Sequence, residues 1–181
     1  MALLRDRTLL IELLAPAGRD RGELHAILDG ARDDAVDYLT RDNGGVWEYL
    51  EDGIIDPSYR VCAPRLVALE HWGAAGLARL LDQGWGHSWG IFLRTKRNFR
   101  TLREHLRELG LARLPGGQVV QFRFYDPRVL RAYLPTCTRD ELAQVFGPIQ
   151  EIVLESEDPT VACRYTLERR ELVVETVRLL P

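Results

Sequence analysis

The sequence is nearly without lysine, because Lys96 is one residue among 24 basic ones. Arginine therefore supplies almost all of the positive charge, and its planar guanidinium favours specific paired contacts. The same bias can equally reflect genomic composition. Cysteine is also sparse, and the three cysteines are odd in number and widely spaced, which argues against a disulfide framework and fits a reducing compartment. They are Cys62, Cys137 and Cys163.

Long apolar runs are missing as well. No stretch of eighteen apolar residues occurs, and charged residues interrupt Met1 to Pro16, so neither a spanning helix nor a signal peptide is predicted. We therefore expect a cytoplasmic protein without membrane insertion. The four histidines lack a second histidine or a cysteine at ligand spacing, and no phosphate-binding lysine motif is present, so neither metal nor cofactor is predicted.

The charge is unevenly distributed. The net charge of -3 argues against general nucleic-acid binding, but residues 94–131 hold ten basic residues against three acidic ones. This stretch is interpretable as a solvated helix face or as a docking surface for an acidic partner. Nucleic-acid binding through residues 94–113 is a further hypothesis that rests on local charge alone.

The chain length indicates one domain over residues 1–181, with two lobes of roughly 1–95 and 96–181 as an option. Strand and helix patterns alternate, which predicts an α/β fold with a mixed, partly parallel sheet flanked by helices and a β-rich carboxyl-terminal part. The patterns predict an amphipathic helix over 98–109, a strand over 118–125 and a hairpin that turns at 169–170. Asp126-Pro127 and the Thr138/Glu141 pair predict two helix starts.

Residues 86–90 (GHSWG) match the GxSxG pattern of a hydrolase nucleophile elbow around Ser88. An elbow needs a strand before the serine and a helix after it, whereas here the patterns predict a helix before and a strand after. The only histidine downstream is His105, and the only carboxylate between is its neighbour Glu104. A small serine hydrolase therefore remains the alternative hypothesis, through a permuted arrangement that uses His25 or His71.

The residues around Ser88 have a simpler interpretation. Gly84, Gly86 and Gly90 are spaced GxGxxxG and precede a strand, which favours a tight helix-to-strand turn over a nucleotide loop. Trp85 and Trp89 suit core packing, and the alternative is that one of them anchors a partner. No catalytic residue is predicted.

A second dense segment covers residues 121–136 (QFRFYDPRVLRAYLPT). In the predicted strand, Arg123 would be partly buried and would need a carboxylate or carbonyl groups as partner. Either Asp29 or Asp126 could supply it, so that a buried arginine would fix a strand-to-helix corner.

These segments resemble the type VI secretion adaptor family, domain-of-unknown-function family 4123. The likeness rests on the early strand at residues 24–31 (LHAILDGA), the GWGHSWGIFL segment at 84–93, the FRFYDPRVLRAYLPT segment at 122–136, and the FGPI stop at 146–149. It spans roughly residues 24–155, and the first 23 residues and the tail match nothing assigned.

The resemblance implies a non-catalytic chaperone of Gram-negative bacteria, which binds a cognate toxin effector in the cytosol and helps to load it onto the secretion spike. The spike or its tip protein is a further expected partner. We expect the effector contact to use exposed apolar or edge-strand surface. The candidate partner-binding residues are Trp85, Trp89, Arg94, Arg123, Tyr125, Arg128 and Arg131. The motif residues expected to shape the fold are Asp29, Gly84, Gly86, Gly90, Asp126 and Pro127.

Overall fold

A computed structural model describes residues 8–14, 22–51, 56–113 and 116–179. The helices are α1 (Thr8–Leu14), α2 (Ala35–Asp42), α3 (Gly73–Gly84), α4 (Phe99–Leu109), α5 (Pro127–Tyr133) and α6 (Arg139–Phe146). The strands are β1 (Glu23–Asp29), β2 (Trp47–Tyr49), β3 (Pro64–Ala68), β4 (Gly90–Thr95), β5 (Leu111–Arg113), β6 (Val119–Gln121), β7 (Ile149–Glu155), β8 (Val161–Glu168) and β9 (Glu171–Arg178).

Seven strands form one sheet in the order β2-β3-β1-β4-β7-β8-β9, and β5 and β6 form a separate two-stranded sheet. Every pair of neighbouring strands in both sheets is antiparallel. The prediction of a partly parallel sheet is therefore wrong, although the fold is α/β with helices beside the sheet.

The reason lies in how the chain returns to the sheet. A single crossover helix between neighbouring strands makes them parallel. Here α3 connects β3 to β4, but β1 lies between them and runs the other way. Between β4 and β7 the chain forms α4, α5 and α6, and it re-enters beside β4 in the opposite direction. Alternation along the sequence does not reveal either feature.

The sheet is the middle of three layers, because each of its faces carries its own apolar cluster. Strand residues such as Ile27, Ile91 and Leu154 pack with α4, α5 and α6. Alternate residues such as Leu28, Phe92 and Val153 pack on the other face with α1, α2 and α3. The period of two along each strand sends successive side chains to opposite faces, so the central strands are apolar on both.

The local signals of the sequence are confirmed where they concern helix starts and turns. Asp126 caps α5 with Pro127 at the first helical position, and Thr138 and Glu141 form a capping box at α6. The β8–β9 hairpin turns at Arg169 and Arg170, both with positive φ. Over the residues described, none of the helices has the length and apolar character needed to cross a bilayer.

Candidate functional site

Asp29 and Glu155 lie at one end of the central strands, on either side of the turn that precedes β4. β1 ends at Asp29, β4 begins at Gly90 and β7 ends at Glu155, and these three strands are antiparallel neighbours. The end of β1 therefore meets the start of β4, where the Asp29 amide donates to the Trp89 carbonyl at 2.7 Å. Both carboxylates are buried, so each needs hydrogen-bond donors around it.

Glu155 obtains its donors from the turn that precedes β4. One carboxylate oxygen accepts hydrogen bonds from the Ser88 amide at 2.8 Å and the Ser88 hydroxyl at 3.0 Å. The other oxygen accepts from the Gly86 amide. The end of β7 therefore fixes the turn between α3 and β4, across more than sixty residues of sequence.

The glycines of this turn are required by space and backbone conformation. Gly86 has φ 85°, which side-chain-bearing residues rarely adopt. A Cβ on Gly90 would lie 1.8 Å from the Ile27 carbonyl oxygen, and one on Gly84 would lie 2.8 Å from the Trp89 ring. The expected tight helix-to-strand turn beside the tryptophans is therefore present.

Ser88 shares one feature with a nucleophile elbow, because its φ is 56°. The elements around it are a helix before and a strand after, the reverse of an elbow. Its hydroxyl donates to Glu155, whereas His105 contacts the Val145 carbonyl and His25 the Glu23 carbonyl. Within the described ranges, no histidine forms a hydrogen bond with the Ser88 hydroxyl, so the geometry supplies no imidazole base to it.

Residues 122–136, the second motif segment, place arginines over the same end of the strands. Arg123 forms an ion pair with Asp29, one of the two partners that the sequence allowed. Asp126 instead holds Arg128, accepting from its Nε at 3.0 Å and its Nη2 at 2.6 Å. The buried carboxylates of Asp29 and Asp126 thus pair with arginine side chains that are about half exposed.

The predicted strand over residues 118–125 is too long. β6 ends at Gln121, and residues 124–126 form a turn that leads into α5. Phe124 and Tyr125 are both buried, and their rings meet edge to face at 5.8 Å. A turn can bury consecutive aromatic side chains, whereas a strand sends them to opposite faces.

Two further arginines lie at the same end of the strands. Arg131 donates from Nη1 to the Glu155 carbonyl oxygen at 2.5 Å. Arg32 donates from Nη2 to the His87 carbonyl oxygen at 3.2 Å. We call these four exposed or partly exposed residues, Arg32, Arg123, Arg128 and Arg131, the arginine rim. A pocket of about 370 Å³ opens beside it and is lined by Gly86, Ser88, Arg128, Arg131, Glu155, Ser156, Glu157 and Pro159.

The other candidate partner-binding residues lie inside the protein. Trp85 and Trp89 are buried in the cluster beneath α3, and the Trp85 indole donates to the Pro159 carbonyl at 2.8 Å. Tyr125 is buried, and burial is the main cause that raises the pKa of its hydroxyl. Arg94 is buried and donates to the carbonyl of Leu14, the last residue of α1. Direct partner contact stays a prediction for all seven residues, of which Arg123, Arg128 and Arg131 are exposed or partly exposed.

Sequence reasoning missed Glu155 and Arg32. Glu155 follows the apolar run of β7, and a carboxylate that ends a buried strand is the one signal that could have marked it. Arg32 lies among acidic residues in a turn and has no distinctive spacing. Both act on residues more than fifty positions away in the sequence, which local patterns do not show.

Metal and disulfide chemistry receive no support from side-chain placement. In the part of the chain that the structure covers, no three His, Cys, Asp or Glu side chains come together so as to hold a metal ion. Cys62, Cys137 and Cys163 are free thiols.

Comparison with known proteins identifies the matched part of the chain. The family model for a domain of unknown function, DUF4123, matches residues 24–144. No curated protein and no solved structure gives a significant match. The matched stretch contains β1 except for its first residue, β2 to β6 and all four arginines of the rim, and it ends before Glu155 and β7. The chain belongs to the DUF4123 family.

Proposed function

We propose that this protein is a non-catalytic adaptor that binds a cognate type VI secretion effector in the cytoplasm and assists its loading onto the secretion spike. The observation that carries the proposal is the meeting of the two motif segments. Residues 84–95 and 122–136, which carry the resemblance to type VI adaptors, meet at one end of the central strands, where Gly86 and Ser88 line a pocket with Arg128 and Arg131. The second segment supplies three of the four rim arginines, and the His87 carbonyl of the first segment accepts from the fourth, Arg32.

The rim has the properties of a prepared docking surface. A guanidinium has five N–H donors, and Asp126 occupies donors on only two nitrogens of Arg128. Because the neutralising carboxylates lie underneath, the remaining donors are held in place before a partner arrives. Carboxylates and carbonyl oxygens of an effector are the complementary groups, and arginine is a frequent anchor in protein interfaces.

The alternative, a serine hydrolase, has weaker support. It needs a base that takes the proton of the Ser88 hydroxyl and an open path to that hydroxyl. Ser88 is buried, and its hydroxyl donates to the same carboxylate that fixes the turn. This arrangement favours a structural role, and the proposal therefore assigns no catalysis to the site.

Co-purification with the protein encoded by the neighbouring open reading frame tests the proposal. We expect the full chain to retain that protein and the variant Arg123→Gln/Arg128→Gln to bind it about tenfold or more weakly. Arg97→Gln/Arg100→Gln is the control, because it removes two exposed arginines of the same basic stretch outside the rim. Affinity for the wild type should also fall between about 0.1 M and about 1 M salt, where the Debye length shortens from about 10 Å to about 3 Å. Absence of any retained partner contradicts the adaptor, and salt-independent binding contradicts the role of the rim.

A further inference from the structure

β9 is the last strand of the seven-stranded sheet and is fixed at both ends. At the hairpin, ion pairs join Glu171 to Arg139 and Arg170 to Asp140, which attaches the turn to α6. Beyond the strand, Leu179 is buried, and its amide donates to the Thr160 carbonyl at 2.7 Å. No strand of the described ranges pairs with the outer side of β9. The strand is therefore held in a defined position with one side open.

The pairing with β8 shows which backbone groups face outward. Glu168 and Glu171 close a two-residue turn, so they form a hydrogen-bonded pair, and such pairs recur at every second residue. The hydrogen bond from the Leu179 amide to the Thr160 carbonyl fits this alternation, because Leu179 lies an even number of residues after Glu171. The residues whose N–H and C=O groups point away from the sheet are therefore Leu172, Val174, Thr176 and Arg178.

The length of β9 makes this edge a template for strand pairing. Natural edge strands are blunted by short length, proline, charged side chains or a bulge. β9 has eight residues in unbroken register and no proline, and Glu175 is the only charged residue between its terminal residues, Glu171 and Arg178. The opposite edge of the sheet, β2, has only three residues. The two edges differ, and only β9 offers a long template.

Charges on one face of the sheet lead to this edge. Arg94, Glu151, Arg164 and Glu175 alternate in sign across β4, β7, β8 and β9. The exposed fraction of their side chains rises along this series, from 8% and 9% to 28% and 57%. Glu151 lies between two arginines, whereas Glu175 has Arg164 on one side and solvent on the other. A basic side chain on a further strand would continue the series.

We propose that an extended segment of the cognate effector adds to the outer side of β9 as an antiparallel strand. Glu175 occupies a position that does not hydrogen-bond outward, where side chains of paired strands approach most closely. The segment therefore carries arginine or lysine opposite Glu175, with apolar residues two positions to either side, opposite Val173 and Val177. This inference rests on the proposed function, and it assigns effector choice to residues outside the matched stretch 24–144.

The test is binding of the full chain to the protein encoded by the neighbouring open reading frame. Thr176→Pro removes an outward N–H and leaves the donors to β8 intact. We expect it to raise Kd about tenfold or more, and Thr176→Val, which keeps the N–H, to bind like the wild type. Glu175→Arg should weaken binding, whereas Glu104→Arg, which alters a similarly exposed glutamate paired with one arginine on α4, should not.

Amide exchange of the wild type, followed by NMR, keeps the inference testable if Thr176→Pro fails to fold. The amides of Leu172, Val174 and Thr176 should exchange fast in the free protein and slowly in the complex. Equal binding by folded Thr176→Pro, or unchanged exchange of these amides in the complex, overturns strand addition and leaves the adaptor proposal standing. No binding by the wild type overturns both. A dimer of the protein alone that Thr176→Pro abolishes assigns the edge to a second copy and overturns the effector as occupant.

Discussion

The arginine rim and the outer side of β9 offer a partner two different chemistries. The rim presents guanidinium groups that buried carboxylates hold in place. β9 presents backbone N–H and C=O groups along a regular strand. Side-chain charges give specificity and salt-dependent association, whereas strand pairing accepts many sequences and selects through alternate side chains.

The two regions also differ in their relation to the family. All rim arginines lie within the matched residues 24–144, and β9 lies outside them. This division fits the proposed function, because an adaptor for one particular effector can select it through residues outside the stretch that the family model describes. It also separates buried polar contacts from the exposed outer side of an edge strand.

The strongest test of this contrast is Glu155→Ala. The substitution leaves the Gly86 amide and the Ser88 amide and hydroxyl without their acceptor in a buried turn. We expect the free energy of unfolding to fall by about 3–5 kcal/mol. Urea unfolding followed by tryptophan fluorescence measures it. Glu157→Ala, an exposed neighbour, should change stability by less than about 0.5 kcal/mol, and equal effects of the two would remove Glu155 from the account.

Asp29→Asn should have the next largest effect. Asparagine retains the shape, but it loses the charge, and only one of its two terminal atoms accepts hydrogen bonds. It therefore cannot replace both Oδ1, which accepts from the Ala31 amide, and Oδ2, which pairs with Arg123. We expect a loss of about 1–3 kcal/mol, because a buried carboxylate loses its charge and one of its two acceptor oxygens. Asp34→Asn is the control, since this exposed side chain makes no capping bond at α2. A neutral Asp29→Asn would show that the ion pair contributes nothing.

Acid should weaken the pairing of Asp126 with Arg128 beneath the rim. Burial alone raises the pKa of Asp126, but the hydrogen bonds and charge of Arg128 outweigh it, so the pKa lies below its usual value. A carboxyl with a lowered folded-state pKa stabilises the protein above its unfolded pKa of about 3.9 and loses this contribution as pH falls through the folded value. Asp126→Asn should therefore flatten the decline of stability below about pH 4. Parallel pH profiles for wild type and variant would argue against this linkage.

The smallest effect is expected on β9. Thr176 is exposed, and Thr176→Val keeps its backbone hydrogen bonds and β-branched shape. Its free energy of unfolding should differ from that of the wild type by less than about 0.5 kcal/mol. Urea unfolding of both proteins measures the difference. A loss above about 1 kcal/mol would show that the Thr176 hydroxyl contributes to the stability of the fold.

The sequence predicted local structure well, because its signals act over a few residues. The cap at Asp126 and Pro127, the capping box of Thr138 and Glu141, and the turn at Arg169 each involve atoms at most four positions apart. Of the candidate site, the two motif segments and the Arg123–Asp29 option were visible in the sequence.

The remaining features depend on contacts between distant segments. Strand direction in the sheet is set by which strands become neighbours, and β1 inserts between β3 and β4. The predicted strand through Tyr125 failed because a buried turn with Phe124 has the same apolar composition as a strand. The role of Glu155 required the fold, since β7 has to arrive beside the turn at Ser88.

Secretion of the neighbouring toxin from a strain that lacks this gene tests the central claim most directly. The adaptor account predicts that the toxin is no longer secreted while the secretion machine still exports its structural spike protein. Wild-type protein supplied in trans should restore secretion, and Arg123→Gln/Arg128→Gln should not. Undiminished toxin secretion in the deletion strain would contradict the account.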